Sequence, residues 1–378
     1  VRRATANRIR KKAGLSVGLL FVDGVVPPIV FGAVLLLYLA QNIGVVGLRV
    51  RRWDLLLLSG LGLLVVGLLL ARTIEDRFGH MVERLRARGA LEISDANLER
   101  LRASVDGRAR AWAFRWAVVV SLVVLLAWTS VTERALHTHS LTTTLAAVSR
   151  GPHRLSFVFL VVVEVVGGFV AGFHLGRMAS YGFAGMLFLR AHARLNVLPG
   201  HLDGVAGLKP VGDFYFFQAS VAGLPALYLA VWSILIPLGF NKAYGLWEGL
   251  YVFIFLPLAL AIEVLAFLVP IQWFHSVMAR EKQNMLPEAD RLSQDIAVVQ
   301  ERLLAMAARE VATERERLHE MQDRYRLLED MPTWPVDPRT RRRLRLQNLA
   351  LVLPILGQVV GRSELGKQIA DLLRGGGH

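Results

Sequence analysis

Residues 155–176 read LSFVFLVVVEVVGGFVAGFHLG, an apolar run with one formal charge, Glu164, near its middle. About 20 such residues, rising about 1.5 Å each as a helix, cross the hydrocarbon core of a bilayer. Blocks of this kind recur along the chain, and they decide the fold class: all-α, a polytopic membrane protein. Six transmembrane helices are expected, over 15–40, 55–71, 116–131, 155–176, 216–238 and 250–271. The first is interrupted near Asp23-Gly24 and Pro27-Pro28. Pro225 falls inside the fifth, and Pro257 and Pro270 inside the sixth. Aromatic residues gather at the expected interfaces, among them Trp112, Trp116, Trp247 and Trp273.

Within the quoted stretch Glu164, Gly168, Gly172 and Gly176 recur every four residues and share one helix face. Glycines at that spacing let a second backbone approach closely. A carboxylate on the same stripe faces a bundle interior or a wet cavity, because lipid excludes it. Glu263 sits at comparable depth in the sixth span, and Asp23 is a third acid in the first. Two readings follow: an ion or proton path lined by these acids, or hydrogen-bonded carboxyls joining helices.

The 378 residues are 54% hydrophobic, carry a formal charge of +14 and contain no cysteine; mean hydropathy is +0.44. Without cysteine there are no disulfides, thiolate nucleophiles or Cys-ligated metals. The basic excess reads as topology. The first residues carry RRATANRIRKK, and 72–115 carries ten Arg against seven acids. After the fourth span come Arg177, Arg190, Arg194 and Lys209, while the alternate loops carry fewer basic residues. Both termini are therefore expected in the cytoplasm, the N-terminal segment acting as a signal anchor.

The expected organisation follows. Residues 1–71 hold the N-terminal tail and two spans, and 72–115 a cytoplasmic helical hairpin broken near Arg88-Gly89 and 93–95. Residues 116–271 hold four spans with the cytoplasmic loop 177–215. Residues 272–330 form a charged helix, and 331–378 a Pro-rich turn, a polybasic cluster and a membrane-surface helix. In the charged helix Leu292, Ile296, Val299, Leu303 and Met306 alternate steps of four and three. Leu318, Met321, Tyr325 and Leu328 resume out of register, a coiled-coil-like pattern that fits an oligomer contact or an intramolecular hairpin. Arg341, Arg342, Arg343 and Arg345 precede a short apolar run containing Pro354, a composition suited to anionic lipid headgroups. Lipid is the simpler partner for the Arg-rich stretches, and no nucleic acid is expected.

Before the fifth span the loop HLDGVAGLKPVGDF, 201–214, offers His201, Asp203 and Asp213. Their spacing matches no established metal-ligand pattern, and the phosphate-loop signature is absent. Gly and Asp are the ordinary residues of turns and caps, so the loop is expected to hold its own backbone in shape. His137, His139 and His153 lie in an external loop and lack a third ligand at metal-site spacing; solvated histidines are expected. No hydrolase, zincin or dinucleotide motif occurs, so nothing positive argues for an enzyme, and no cofactor is expected.

The segment HLDGVAGL resembles an HPDxxGGL element of uncharacterised bacterial multi-pass membrane proteins, in which a motif close to WPxD follows a cytoplasmic helix, as Trp334-Pro335-Val336-Asp337 does here. This chain has Leu202 where the pattern has Pro and Ala206 where it has Gly. The resemblance implies a bacterial origin and carries no function. Two function classes are open: a homo-oligomeric channel or transporter with Glu164 and the glycine stripe at a pore or packing face, and a membrane-anchored sensor or scaffold recruiting a cytoplasmic protein.

Overall fold

The computed structural model describes residues 29–32, 55–136, 140, 142–143, 146, 154–235, 250–305 and 311–362. The described chain is mostly helical. Its elements are α1 (Leu55–Ala71), α2 (Ile74–Ala87), β1 (Leu91–Glu92), α3 (Asp95–Leu136), α4 (Arg154–Ala179), α5 (Gly185–His192), β2 (Arg194–Leu195), α6 (Lys209–Ala222), α7 (Leu224–Leu235), α8 (Leu256–Ala305), α9 (Val311–Glu329) and α10 (Pro338–Arg362). Short π-helical turns join α4 to α5 at Ser180–Ala184 and precede α8 at Tyr251–Phe255.

Among the described residues, two helical stretches are long and apolar enough to cross a membrane, Asp95–Ala127 and Phe253–Leu304. The pair α6 and α7, bent by 42°, makes a third if it is one span. Six were expected from the sequence. The first expected span lies outside the described residues except for 29–32, and α1 has only 17 residues. The outer faces of the long helices are apolar and open: Val119, Leu122 and Leu126 on α3, and Leu258, Leu265 and Leu268 on α8 are exposed. Such bands are rare on proteins surrounded by water and suit a lipid boundary.

Three element limits differ from the sequence expectation. The second leg of the 72–115 segment and the third span form one continuous helix, α3, of 42 residues. Likewise most of the expected sixth span and the start of the expected charged helix form one continuous helix, α8, 50 residues and about 75 Å long. Pro270 and Pro287 sit inside α8 without ending it. Finally, α6 begins at Lys209 with Pro210 in its first turn, so Asp213 belongs to a helix rather than to the loop.

The sequence explains the layer built on α2, β1 and β2 element by element. Ile74, Phe78, Met81, Val82 and Leu85 make one buried face of α2, with acids in its first turn and arginines in its last to complement the helix dipole. Gly89 ends α2 at φ +70. Its N–H donates to the Arg86 carbonyl and that of Ala90 to the Leu85 carbonyl, the glycine-dependent C-terminal cap. The chain then enters β1, which pairs antiparallel with β2 in the register Leu91↔Leu195 and Glu92↔Arg194. This two-residue ladder ties the 72–115 segment to the loop after α5.

Residues 178–189 fill the space between α2 and α3. The Tyr181 hydroxyl donates to Asp106 Oδ1 at 2.9 Å, and Ser180 Oγ to the Val105 carbonyl at 3.3 Å. Tyr215 donates to the Gly182 carbonyl at 3.1 Å, and Gln218 to that of Met178 at 3.2 Å. The largest buried cluster, with Phe78, Leu101, Leu208, Tyr215, Phe274 and Met331 among its members, lies in this layer. Helices α8 and α9 run antiparallel against each other. Arg324 pairs with Glu288, and Lys282 Nζ donates to the Glu329 and Met331 carbonyls at the end of α9.

Candidate functional site

The loop from Leu198 to Lys209 is built around Asp203. Its side chain is 6% exposed. Oδ1 accepts from the N–H groups of Val205 and Gly207, each at 3.0 Å, and Oδ2 from the N–H of Lys209 at 3.3 Å. Oδ2 also accepts from Arg88 Nη1 at 2.7 Å, and the same nitrogen donates to the Gly207 carbonyl at 3.3 Å. His201 Nδ1 lies 3.0 Å from Oδ1. Burial pushes the Asp203 carboxyl up. The N–H donors of Gly207, Val205 and Lys209, with His201, outweigh burial and hold it below the ordinary carboxylate range. Arg88 comes from the cap of α2, so the carboxylate closes the loop and docks it on the 72–115 segment in one step.

Its backbone needs left-handed residues. Gly200, Gly204 and Gly207 have φ of +73, +68 and +85. Ala206, at φ +54, is the one non-glycine residue with positive φ among the described residues. It occupies the position where the resembling pattern has Gly. A left-handed L-residue costs roughly 1–2 kcal/mol, partly offset by glycine's extra freedom in the unfolded chain. Ala206→Gly is therefore expected to leave stability unchanged or raise it by up to about 1 kcal/mol. Ala206→Val should lower it, because a β-branched side chain fits that conformation worst. Thermal unfolding of the two variants in detergent reads both.

The WPVD segment meets α8 and α6. Trp334 stacks on His275 with ring centroids 4.0 Å apart, and His275 Nδ1 lies 2.7 Å from the Thr333 carbonyl. The Pro335 carbonyl packs against Gly212 of α6, where any Cβ would collide with it. Asp337 caps α10: its Oδ1 accepts from the Thr340 N–H at 2.5 Å, and Pro338 follows as the first helical residue. Burial raises the Asp337 carboxyl, but the Thr340 backbone and side-chain bonds bring it below the usual range. Lys209 Nζ lies 3.8 Å from Asp337 Oδ2. The two segments that carry the resemblance thus converge on the first turns of α6.

Asp213 does not join His201 and Asp203. It is exposed and faces a cleft of about 320 Å³ with Arg77, His80, Arg84, Pro210 and Phe214. No group of three His, Asp or Glu side chains suited to a metal occurs among the described residues. Asp203 has its oxygens occupied by N–H donors and a guanidinium, which suits a structural clasp and leaves it poorly placed as a base or ligand.

Deeper along the chain, Gly168, Gly172 and Gly176 of α4 lie against α3. A Cβ on Gly172 would come within 2.5 Å of the Trp116 carbonyl oxygen and 2.9 Å of Ala117 Cα. One on Gly176 would come within 2.7 Å of Ala113 Cα. The facing stripe on α3 is Ala109, Ala113, Ala117 and Ser121, and Ser121 Oγ donates to the Val165 carbonyl at 3.2 Å. These residues were missed from the sequence, although their four-residue spacing is legible there. Glu164 precedes Gly168 by one turn on α4.

Glu263 of α8 is 0% exposed. Its Oε1 accepts from Gln347 Nε2 of α10 at 2.7 Å, its Oε2 has no partner among the described residues, and both oxygens face Gly223 at the bend between α6 and α7. Gln347 carried no sequence signal, since nothing local tells which helix α10 meets. Leu351 of α10 packs with Ala226, Ala230, Leu256 and Ala259, so α10 docks on the bundle. Arg341, Arg342, Arg343 and Arg345 in its first turns are exposed. Asp23, His137, His139 and His153 lie outside the described residues. No known protein family, curated protein or solved structure matches the chain.

Proposed function

We propose that the chain is a six-span bacterial inner-membrane protein with both termini cytoplasmic, working as a membrane-anchored sensor or scaffold that recruits a protein partner through its cytoplasmic helices. One observation carries this over conduction. The glycine stripe of α4, the face a pore would need, is filled by the backbone of α3 at Trp112–Ala117. The largest buried cluster and the long-range tie Arg88–Asp203 belong to the layer that this reading places in the cytoplasm. Homo-oligomerisation and contact of Arg341–Arg345 with anionic lipid headgroups are part of the proposal.

The test uses the absence of cysteine. Gly168→Cys adds a thiol where the neighbouring Val124 side chain is close, 3.2 Å from a Cβ. In intact membranes it is expected to resist a water-soluble maleimide, while Leu304→Cys, at a position 90% exposed, reacts. Reaction at 168 together with ion flux from proteoliposomes would overturn the scaffold reading.

A channel or transporter is the second reading, favoured by the unpartnered Oε2 of Glu263 beside the bent α6–α7 pair. Glu263→Gln keeps an acceptor for Gln347 and removes the ionisable group. The scaffold reading expects Glu263→Gln to be as stable as the natural chain or more so, with no flux from either. Flux that Glu263→Gln abolishes would decide for transport.

A further inference from the structure

Beside the α5–β2 junction an open cleft of about 350 Å³ is lined by Arg190, Arg194, Leu195, Trp273, Val277 and Arg280. That volume falls within the range of small-ligand sites. Three guanidinium groups from three elements face one space, Arg190 in the last turn of α5, Arg194 on β2 and Arg280 on α8. Among the described residues none of the three has a carboxylate within 4.0 Å, whereas Arg86, Arg88, Arg102, Arg177 and Arg324 all do. Three unneutralised cations around one cleft repel each other, and an anion bound among them removes that repulsion. Guanidinium forks match the oxygens of phosphate in pairs.

The cleft's position narrows the ligand. On α8 the exposed apolar band of Leu265, Leu268 and Val269 ends one turn before Trp273. Arg280 follows about 10 Å further along the helix axis. A tryptophan at the end of a lipid-facing band, with arginines just beyond it, matches the depth of phosphate headgroups. We propose that this cleft is a binding site for a phosphate group, held by Arg190, Arg194 and Arg280 against the Trp273 wall. A phospholipid headgroup and a free phosphate compound share that chemistry. The proposal does not depend on whether the protein is a scaffold or a transporter.

The test uses the full chain in neutral detergent. Pyrophosphate binding is measured by titration calorimetry. In a parallel arm, phosphatidylglycerol retained from mixed micelles is measured by native mass spectrometry. Arg194→Gln and Arg280→Gln are each expected to weaken binding about ten-fold or more, since each removes a charge-assisted bond. Arg190→Gln combined with both should abolish it. Arg291→Gln, exposed further along α8, should leave it unchanged. Pyrophosphate binding lost in the combined variant supports the site and assigns a soluble source. Lipid retention alone, lost in the same variant, supports it and assigns the membrane. Neither ligand binding, or binding indifferent to the three substitutions, overturns the proposal.

Discussion

Gly172→Ala and Gly176→Ala are each expected to destabilise the protein by about 1–3 kcal/mol, the range for overpacking a well-filled interface. Alanine is the better helix former by about 1 kcal/mol, so propensity alone predicts the opposite sign. Packing decides. At Gly172 the new methyl would lie 2.5 Å from the Trp116 carbonyl oxygen, and at both positions the obstacle is backbone of α3 rather than a movable side chain. Helix α3 would have to withdraw, and the contacts of Ala113 and Ala117 with α4 would open along with it. Gly79→Ala is the control. Gly79 is also helical, in α2, but nothing lies within 4 Å of its added Cβ. That variant should be stabilised by up to about 1 kcal/mol, as propensity requires. Thermal unfolding of the three variants in one detergent gives the comparison. Three variants shifting alike would mean that α3 and α4 do not meet backbone to backbone.

That interface also marks what could be read from the sequence. A helix and its apolar face follow from local pattern, so Gly168, Gly172 and Gly176 could be assigned to one stripe before any partner was known. The partner could not. Ala109, Ala113, Ala117 and Ser121 lie on α3, more than 50 residues from Gly172, across a segment that fixes no register. The same limit hid Gln347 from Glu263 and Arg88 from Asp203. Helix limits failed where soluble and apolar segments fuse. Around residue 115 in α3 composition changes abruptly but no Gly cap or proline interrupts the backbone ladder, and at 271 in α8 Pro270 removes one ladder bond without ending the helix, so one helix continues through each boundary. Asp213 reads as a loop residue because Gly and Asp are ordinary turn residues and the apolar run of the fifth span starts only at 216. Proline is natural at the start of a helix, however, and α6 begins at Lys209-Pro210.

Asp203→Ala is expected to cost about 3–5 kcal/mol, the usual result of removing one member of a buried pair. The substitution leaves the N–H groups of Val205, Gly207 and Lys209 without their acceptor and Arg88 without its carboxylate. Asp203→Asn should fall between, because an amide oxygen can still accept from the loop but carries no charge toward Arg88. Arg88→Ala removes the docking partner and leaves the loop's internal bonds intact. Combining Asp203→Ala with Arg88→Ala should therefore cost less than the sum of the two single changes, and the shortfall measures the docking term. The sign of the pH dependence follows from the lowered carboxyl. Its folded value lies below the ordinary 3.8, so its contribution is fully present above 3.8 and is lost as pH falls through the folded value. The unfolding curves of the natural chain and Asp203→Asn should accordingly differ at neutral pH and converge in acid. Local opening gives a second readout, since loss of the clasp frees residues 198–209 and the Arg88 turn together. Hydrogen exchange in Asp203→Ala should rise at the N–H groups of Val205, Gly207 and Asn196, the last of which donates to the Ala90 carbonyl in the same junction. Faster exchange confined to 203–207, with Asn196 unchanged, would mean that the β1–β2 ladder alone holds the loop to α2 and that Asp203 serves only its own turn.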